Sequence, residues 1–133
     1  ESSSSTFNKI NTESNYFSRK KFFLGLSQNK DFLKKIELKM ITLDSYFLDY
    51  NLNKIDLLKI DTEGHEREVL EGGKKVLKNK TEYVLIEFHL SKIYQNYNFQ
   101  KIDKILKNKK FKIFKKFKFP FLAFEDRIYK KIN

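Results

Sequence analysis

No cysteine occurs in the 133 residues, which excludes disulfide bonds and thiolate metal sites. That absence fits a reducing, cytoplasmic compartment. No apolar run approaches the roughly 20 residues that a membrane-spanning helix needs. No leader peptide is read at the start, and Glu1 in place of methionine is expected of a piece of a longer protein. The only histidines, His65 and His89, stand 24 residues apart with no His-x-x-x-His pair. Asp61, Glu63, His65 and His89 could offer a hard cation oxygen and nitrogen ligands, but no familiar ligand spacing is present. No metal is expected.

What is present suffices for a folded domain. Hydrophobic residues make up 40% of the chain, 14 of them phenylalanine, and the length allows one real core. The net charge of +11 divides unevenly. Residues 36–90 are acidic by 3, whereas residues 91–133 are basic by 10. A basic tail could touch nucleic acid or anionic lipid. Its lysines are spread along the tail rather than set in one block, so they read as ordinary surface residues. Nucleic acid is therefore not an expected partner, and a basic nucleic-acid-binding α/β module is the alternative to an enzyme. In "FKIFKKFKFPF" the alternating Phe residues are expected to form a core face, with lysines outside.

Residues 1–35 are polar and read as loop with one short helix. "KIELKMITL" alternates like a strand. "LDSYFLDYNL" reads as a helix with Asp44 as its N-cap. "KIDLLKI" is too continuously apolar for a sheet edge. A helix is expected from Thr62 or Glu63, with a stripe of Val69, Leu70, Val76 and Leu77 and a break at Gly72-Gly73. "TEYVLIEF" is another buried strand, and "FQKIDKILKN" a helix with Phe99, Ile102, Ile105 and Leu106 on one face. The last 23 residues read as two strands, with Pro120 near a turn or an edge. This alternation predicts one α/β domain with a parallel sheet and an antiparallel strand pair at its edge.

Asp61 and His89 fall at the carboxyl ends of two consecutive strands, where open α/β sheets bind ligands. Lys59 and Asp61 project on the same face, and a charged lysine inside such a strand needs Asp61 or Glu87 as its partner. Glu63 stands where a helix dipole favours an acid. Each also has a structural reading: Lys59 as half of an ion pair, Thr62 as a cap, Glu63 as first-turn electrostatics, and His65 as an exposed side chain.

"ITLDSYF", "IDLLKIDTEGHEREVLEGG" and "YVLIEFH" together resemble the FkbM-type family of S-adenosylmethionine-dependent methyltransferases. The resemblance rests on Leu43-Asp44, the Lys-Ile-Asp-x-Glu-Gly-x-Glu run from Lys59 to Glu66, the following Val-Leu-x-Gly, and a strand ending Glu-x-His. These blocks span residues 36–90. The family implies a Rossmann-like class I methyltransferase sheet, mostly parallel with an antiparallel terminal strand. It implies S-adenosylmethionine as cofactor and a small-molecule or glycan hydroxyl as acceptor, commonly on a sugar. Asp61 would then orient or deprotonate the acceptor, with His89 as a candidate base, Glu63 as a hydrogen-bond partner and Lys59 orienting Asp61. The family's glycine-rich cofactor turn has no counterpart among Gly25, Gly64, Gly72 and Gly73, and no Gly-x-Gly occurs. The 133 residues thus read as the carboxyl-terminal part of the catalytic domain without its first strands. Alone, they are expected to bind the cofactor poorly and to be inactive.

Overall fold

A computed structural model describes residues 5–23, 36–90, 93–95, 97–119 and 124–132. Pro120 and Gly25 lie outside them. Five helices and four strands follow in the order α1 (Asn15–Phe23), α2 (Leu43–Asp49), β1 (Ile55–Ile60), α3 (Glu66–Gly72), α4 (Lys74–Asn79), β2 (Thr81–His89), α5 (Phe99–Asn108), β3 (Phe111–Lys118) and β4 (Phe124–Lys131).

The strands form one mixed sheet, ordered β1-β2-β4-β3. β1 and β2 are parallel, and β4 runs antiparallel to both β2 and β3. Three strands therefore share a direction, and the strand last in sequence opposes them. The expected antiparallel pair is at the sheet edge, with β4 as its inner member. β4 returns from β3 and inserts beside β2, because its alternating face (Glu125, Arg127, Tyr129) is buried with that of β2. β3 takes the edge itself. On β3 only Phe111 is fully buried, while Phe114 and Phe117 are exposed. The expected phenylalanine core face thus fails after a register shift between Ile113 and Lys115, which turns the strand's later residues away from the core.

Helices α3, α4 and α5 cover one face of the sheet. Leu70, Leu77, Ile102 and Leu106 pack there against Ile60, Val84, Ile86, Phe88, Phe111 and Tyr129. Burying each such side chain contributes about 1.5–3 kcal/mol. Arg127 crosses this core as a paired cation. Its guanidinium binds Glu125 and lies 4.5 Å from the Phe88 ring centroid. Asp103 of α5 completes the group, accepting a 2.8 Å hydrogen bond from the Tyr129 hydroxyl.

Four further expectations change. Residues 36–42 form no strand: they run exposed, without a ladder partner among the described residues. β1, expected inside the sheet, pairs among the described residues only with β2 and so forms the other edge there. Lys59 is accordingly not buried, with a side chain 63% exposed. α2 is capped by Thr42, whose hydroxyl accepts from Ser45 N at 3.0 Å, and not by Asp44. Asp44 instead reaches α4, accepting from Lys75 N and Val76 N at 3.0 and 2.9 Å. That long-range cap satisfies two donors at the start of α4, whose own N-cap residue, Gly73, has no side chain to offer.

The predicted break at the glycine pair is present, with α3 ending at Gly72 and α4 starting at Lys74. A Cβ on Gly73 would come within 2.8 Å of Leu43 Cδ2, so α2 packs on this junction because nothing projects there. No helix among the described residues is long and apolar enough to cross a membrane.

Candidate functional site at the carboxyl ends of β1 and β2

Parallel pairing carries Ile60 level with Ile86, so the two chains leave the sheet side by side. Asp61 follows one strand directly, and Glu87 and His89 close the other. Period-two alternation sets Glu87 and His89 on the same face. Across the ladder, Glu87 stands opposite Asp126 of β4.

The turn from β1 to α3 fixes the next residue. Glu63 has φ 52° and Gly64 φ 97°, both left-handed, so the helix cannot start at Thr62 or Glu63 as the sequence suggests. It begins at Glu66. Glu66 is fully buried and holds this turn: its Oε1 accepts from Thr62 N, Thr62 Oγ1 and Gly64 N at 3.1, 3.1 and 3.0 Å. Thr62 therefore serves Glu66 rather than capping the helix. The amino-terminal segment clasps the turn from outside, through Thr6 Oγ1 to Glu63 O at 2.5 Å and Asn8 Nδ2 to Gly64 O.

With its backbone so held, the Glu63 carboxylate turns inward. It accepts a hydrogen bond from the Tyr94 hydroxyl and lies 3.6 Å from His89 Nε2. Glu87 Oε1 lies 3.7 Å from the same nitrogen. His89 is only 9% exposed and is packed edge-on by Tyr94 and Tyr97, at 4.9 and 5.7 Å between ring centroids. Burial, followed by the Glu63 hydrogen bond, raises Tyr94 above the ordinary phenol range. Burial also raises Tyr97. Both hydroxyls therefore stay protonated at neutral pH.

Asp61 pairs with Lys59 at 3.0 Å, on the more open side of the cluster. Glu87 is pushed up to about 7, first by burial, then by the charges of Asp61, Asp126 and Glu63, against which Lys59 acts. Burial likewise raises Asp126. Glu87 is thus an acid poised to gain or lose a proton near neutrality.

That poise has a measurable consequence. Well below pH 4.5, the ordinary value for this carboxyl, Glu87 is protonated whether the chain is folded or not. Between there and about 7 the unfolded chain releases the proton while the folded one retains it. Folding stability therefore falls as pH rises through that window and levels off above it. In Glu87→Gln this part of the fall should vanish, as read by urea unfolding at a series of pH values. An identical pH dependence in the two proteins would show that Glu87 titrates normally.

The four residues singled out from sequence stand at one end of the sheet, but in two arrangements. Glu63 and His89 are in contact distance, while Asp61 and Lys59 pair beside them. Sequence reasoning missed Tyr94, Tyr97 and Asp126 as members of the site, and considered Glu87 only as a partner for Lys59. The usable signal for Glu87 was a lone acid on the same strand face as His89. His65 is half-buried rather than exposed, its ring 5.3 Å from that of Phe7 and its Nδ1 3.6 Å from Glu68. Among the described residues no group of three or more histidines and acids is arranged to hold a metal ion.

The described residues do not fit a cradle for S-adenosylmethionine. Such a cradle needs glycine backbone open to a ligand, and the described glycines, Gly64, Gly72 and Gly73, are covered. A Cβ on Gly64 would meet Asn8 and Tyr94 within 2.8 Å, and Gly72 and Gly73 face Thr42 and Leu43.

No curated protein and no solved structure shows a significant match to this chain. The family model described as the methyltransferase FkbM domain matches residues 1–113, from the amino-terminal clasp through the site and into β3. By that match over most of its length, the chain belongs to the FkbM methyltransferase family.

Proposed function

We propose that this domain methylates a hydroxyl oxygen on a sugar or glycosylated metabolite, with S-adenosylmethionine as methyl donor and a Rossmann-like domain as its setting. In this reading the present residues form the acceptor side of the site. The observation that carries it is the grouping of Asp61, Glu63, Glu87 and His89 at adjacent strand ends, with Glu87 near 7. A hydroxyl loses its proton when its oxygen is methylated, so the site needs a group able to take one at neutral pH. Glu87 and His89 are placed for this. Asp61, the more open carboxylate, would accept the acceptor's hydrogen bond and hold its oxygen in line. Positioning of that kind can supply much of a transfer rate. Glu63 is committed to Tyr94, and its role is to hold His89 from the side. Lys59 orients Asp61.

No Gly-x-Gly occurs in the sequence and the described glycines are covered, so the 133 residues alone are expected to bind S-adenosylmethionine poorly and to transfer nothing. The test uses the complete gene product that carries them, with methyl-labelled S-adenosylmethionine and a panel of glycosides and oligosaccharides. The expected product is a label in an ether linkage, stable to mild alkali. Label released by alkali would mean a carboxylate acceptor, and label on nitrogen an amine. Either result, or no transfer to any acceptor, rejects the hydroxyl reading.

A further inference from the structure

At the opposite end of the sheet lies an open groove of about 1240 Å³, bounded by the amino ends of β1 and β2 and the carboxyl ends of α4 and α5. Eight lysines and one acid, Glu82, line it. Lys54 is paired with Asp56 and Glu82 at 2.7 and 2.9 Å. Lys131 donates to Leu77 O and Lys109 O at 3.0 and 2.7 Å, tying the two helix ends together. Lys130 lies over the Tyr83 ring. The remaining five, Lys78, Lys80, Lys109, Lys110 and Lys112, have no carboxylate within ion-pair distance among the described residues.

Lysines near a helix carboxyl end are commonly explained by the helix dipole, and two helices end here. Each such end carries only about half a negative charge. Eight lysines against one glutamate and two helix ends leave a large positive excess. The lysines also act on one another: burial and the charges of Lys109, Lys110 and Lys78 hold the Lys131 ammonium below its ordinary value. Mutual repulsion of this kind is relieved by an anion that spans several of them.

We propose that this groove binds a linear phosphate polymer, a single-stranded nucleic acid backbone, independently of base sequence. The groove is concave, which suits a flexible chain better than the flat surface of a bilayer. Its lining offers three asparagines (Asn53, Asn79 and Asn108) and Thr81 as further hydrogen-bonding groups beside the lysines. Among the described residues no aromatic side chain lines it, so they offer no platform for stacking bases and no means of reading them. Charge, with hydrogen bonds to the phosphate oxygens, is the recognition element. The groove is at the far end of the sheet from the transfer site and shares no lining residue with it.

The test is fluorescence anisotropy of a labelled oligo-dT of about 20 nucleotides, longer than one typical single-strand site, with the complete gene product. Log affinity should fall linearly with log salt, by about 0.7 for each phosphate engaged. The triple variant Lys78→Gln, Lys80→Gln, Lys110→Gln should bind about 10- to 100-fold more weakly and lower that slope by about 2. The control Lys115→Gln, Lys116→Gln, Lys118→Gln removes the same charge from exposed positions of β3 and should change affinity little. Inorganic polyphosphate should compete. On the unaltered protein, oligo-dT should protect Lys78, Lys80 and Lys110 from acetylation, a reading that does not depend on any variant folding. Absence of oligo-dT binding, equal loss in both triple variants, failure of polyphosphate to compete, unprotected groove lysines, or binding to acidic vesicles in place of oligo-dT would each overturn the proposal.

Discussion

Asp61→Asn is expected to lower methyl transfer by about 10²- to 10⁴-fold, the range for loss of a well-placed acid–base or charged orienting group. Stability should hardly change. The replaced side chain keeps its shape and an acceptor oxygen for Lys59, and the Lys59–Asp61 pair at 3.0 Å is largely exposed. Pairs of that kind contribute about 0–1 kcal/mol. A second effect follows from the geometry. The Asp61 charge is among the causes that raise Glu87, so its removal should let Glu87 ionise at lower pH. The acid limb of the pH–rate profile should move down with it. Lys59→Gln separates the two roles: it leaves the Asp61 carboxylate in place and removes only its orienting partner, so a smaller loss is expected. Labelled-methyl turnover of the complete gene product, beside its thermal melt, checks all three statements. Unchanged turnover in Asp61→Asn would remove Asp61 from the mechanism, and a loss matched by unfolding would make it structural.

Gly64→Ala should be the most disruptive Gly→Ala change among the described glycines. At φ 97° a side chain is strained whatever space surrounds it. Space is also lacking, because the new Cβ would lie 2.7 Å from Tyr94 Cγ and 2.6 Å from Asn8 Nδ2. Asn8 presents the end of a side chain and can yield. Tyr94 presents the root of its ring, which cannot move without releasing Glu63 and the edge contact with His89. Backbone strain of about 1–3 kcal/mol and overpacking of about 1–3 kcal/mol should combine into a loss of several kcal/mol. Gly72→Ala is the matched control, since its Cβ would meet Thr42 at an ordinary 3.4 Å. Urea midpoints of the two variants give the comparison. Equal midpoints would mean that the turn is not packed as described.

Much of the element order was legible locally. The heptad-like spacing of Leu70, Val76 and Leu77, the apolar run of β2, and the one-sided pattern of α5 each report their own burial, because periodicity is a property of neighbouring residues. The motif from Lys59 to Glu66 likewise carried the family. Where a local pattern misled, a distant contact had overruled it. Asp44 looks like a cap for its own helix, yet Thr42 takes that position and frees Asp44 for the donors of α4. Glu66 is a local case by contrast: an acid at the start of α3 that orders the loop before it, with three donors from the preceding turn converging on one of its oxygens.

The sequence by itself determined that this chain is an alternating α/β protein of the FkbM type, with its acids and a histidine at the ends of two adjacent strands. Only the tertiary structure decided which groups share space with them. Tyr94 meets Glu63 across 31 residues, and Asp126 reaches Glu87 because β4, and not β3, is the member of the edge pair that lies beside β2. The same holds for charge. Lysines scattered along the chain read as ordinary surface, since spacing along a polymer says nothing of separation in space once helices and strands reverse its direction. Folding brings the ends of α4 and α5 and the margins of four strands to one groove, and only there does the lysines' mutual repulsion make an anion's binding site.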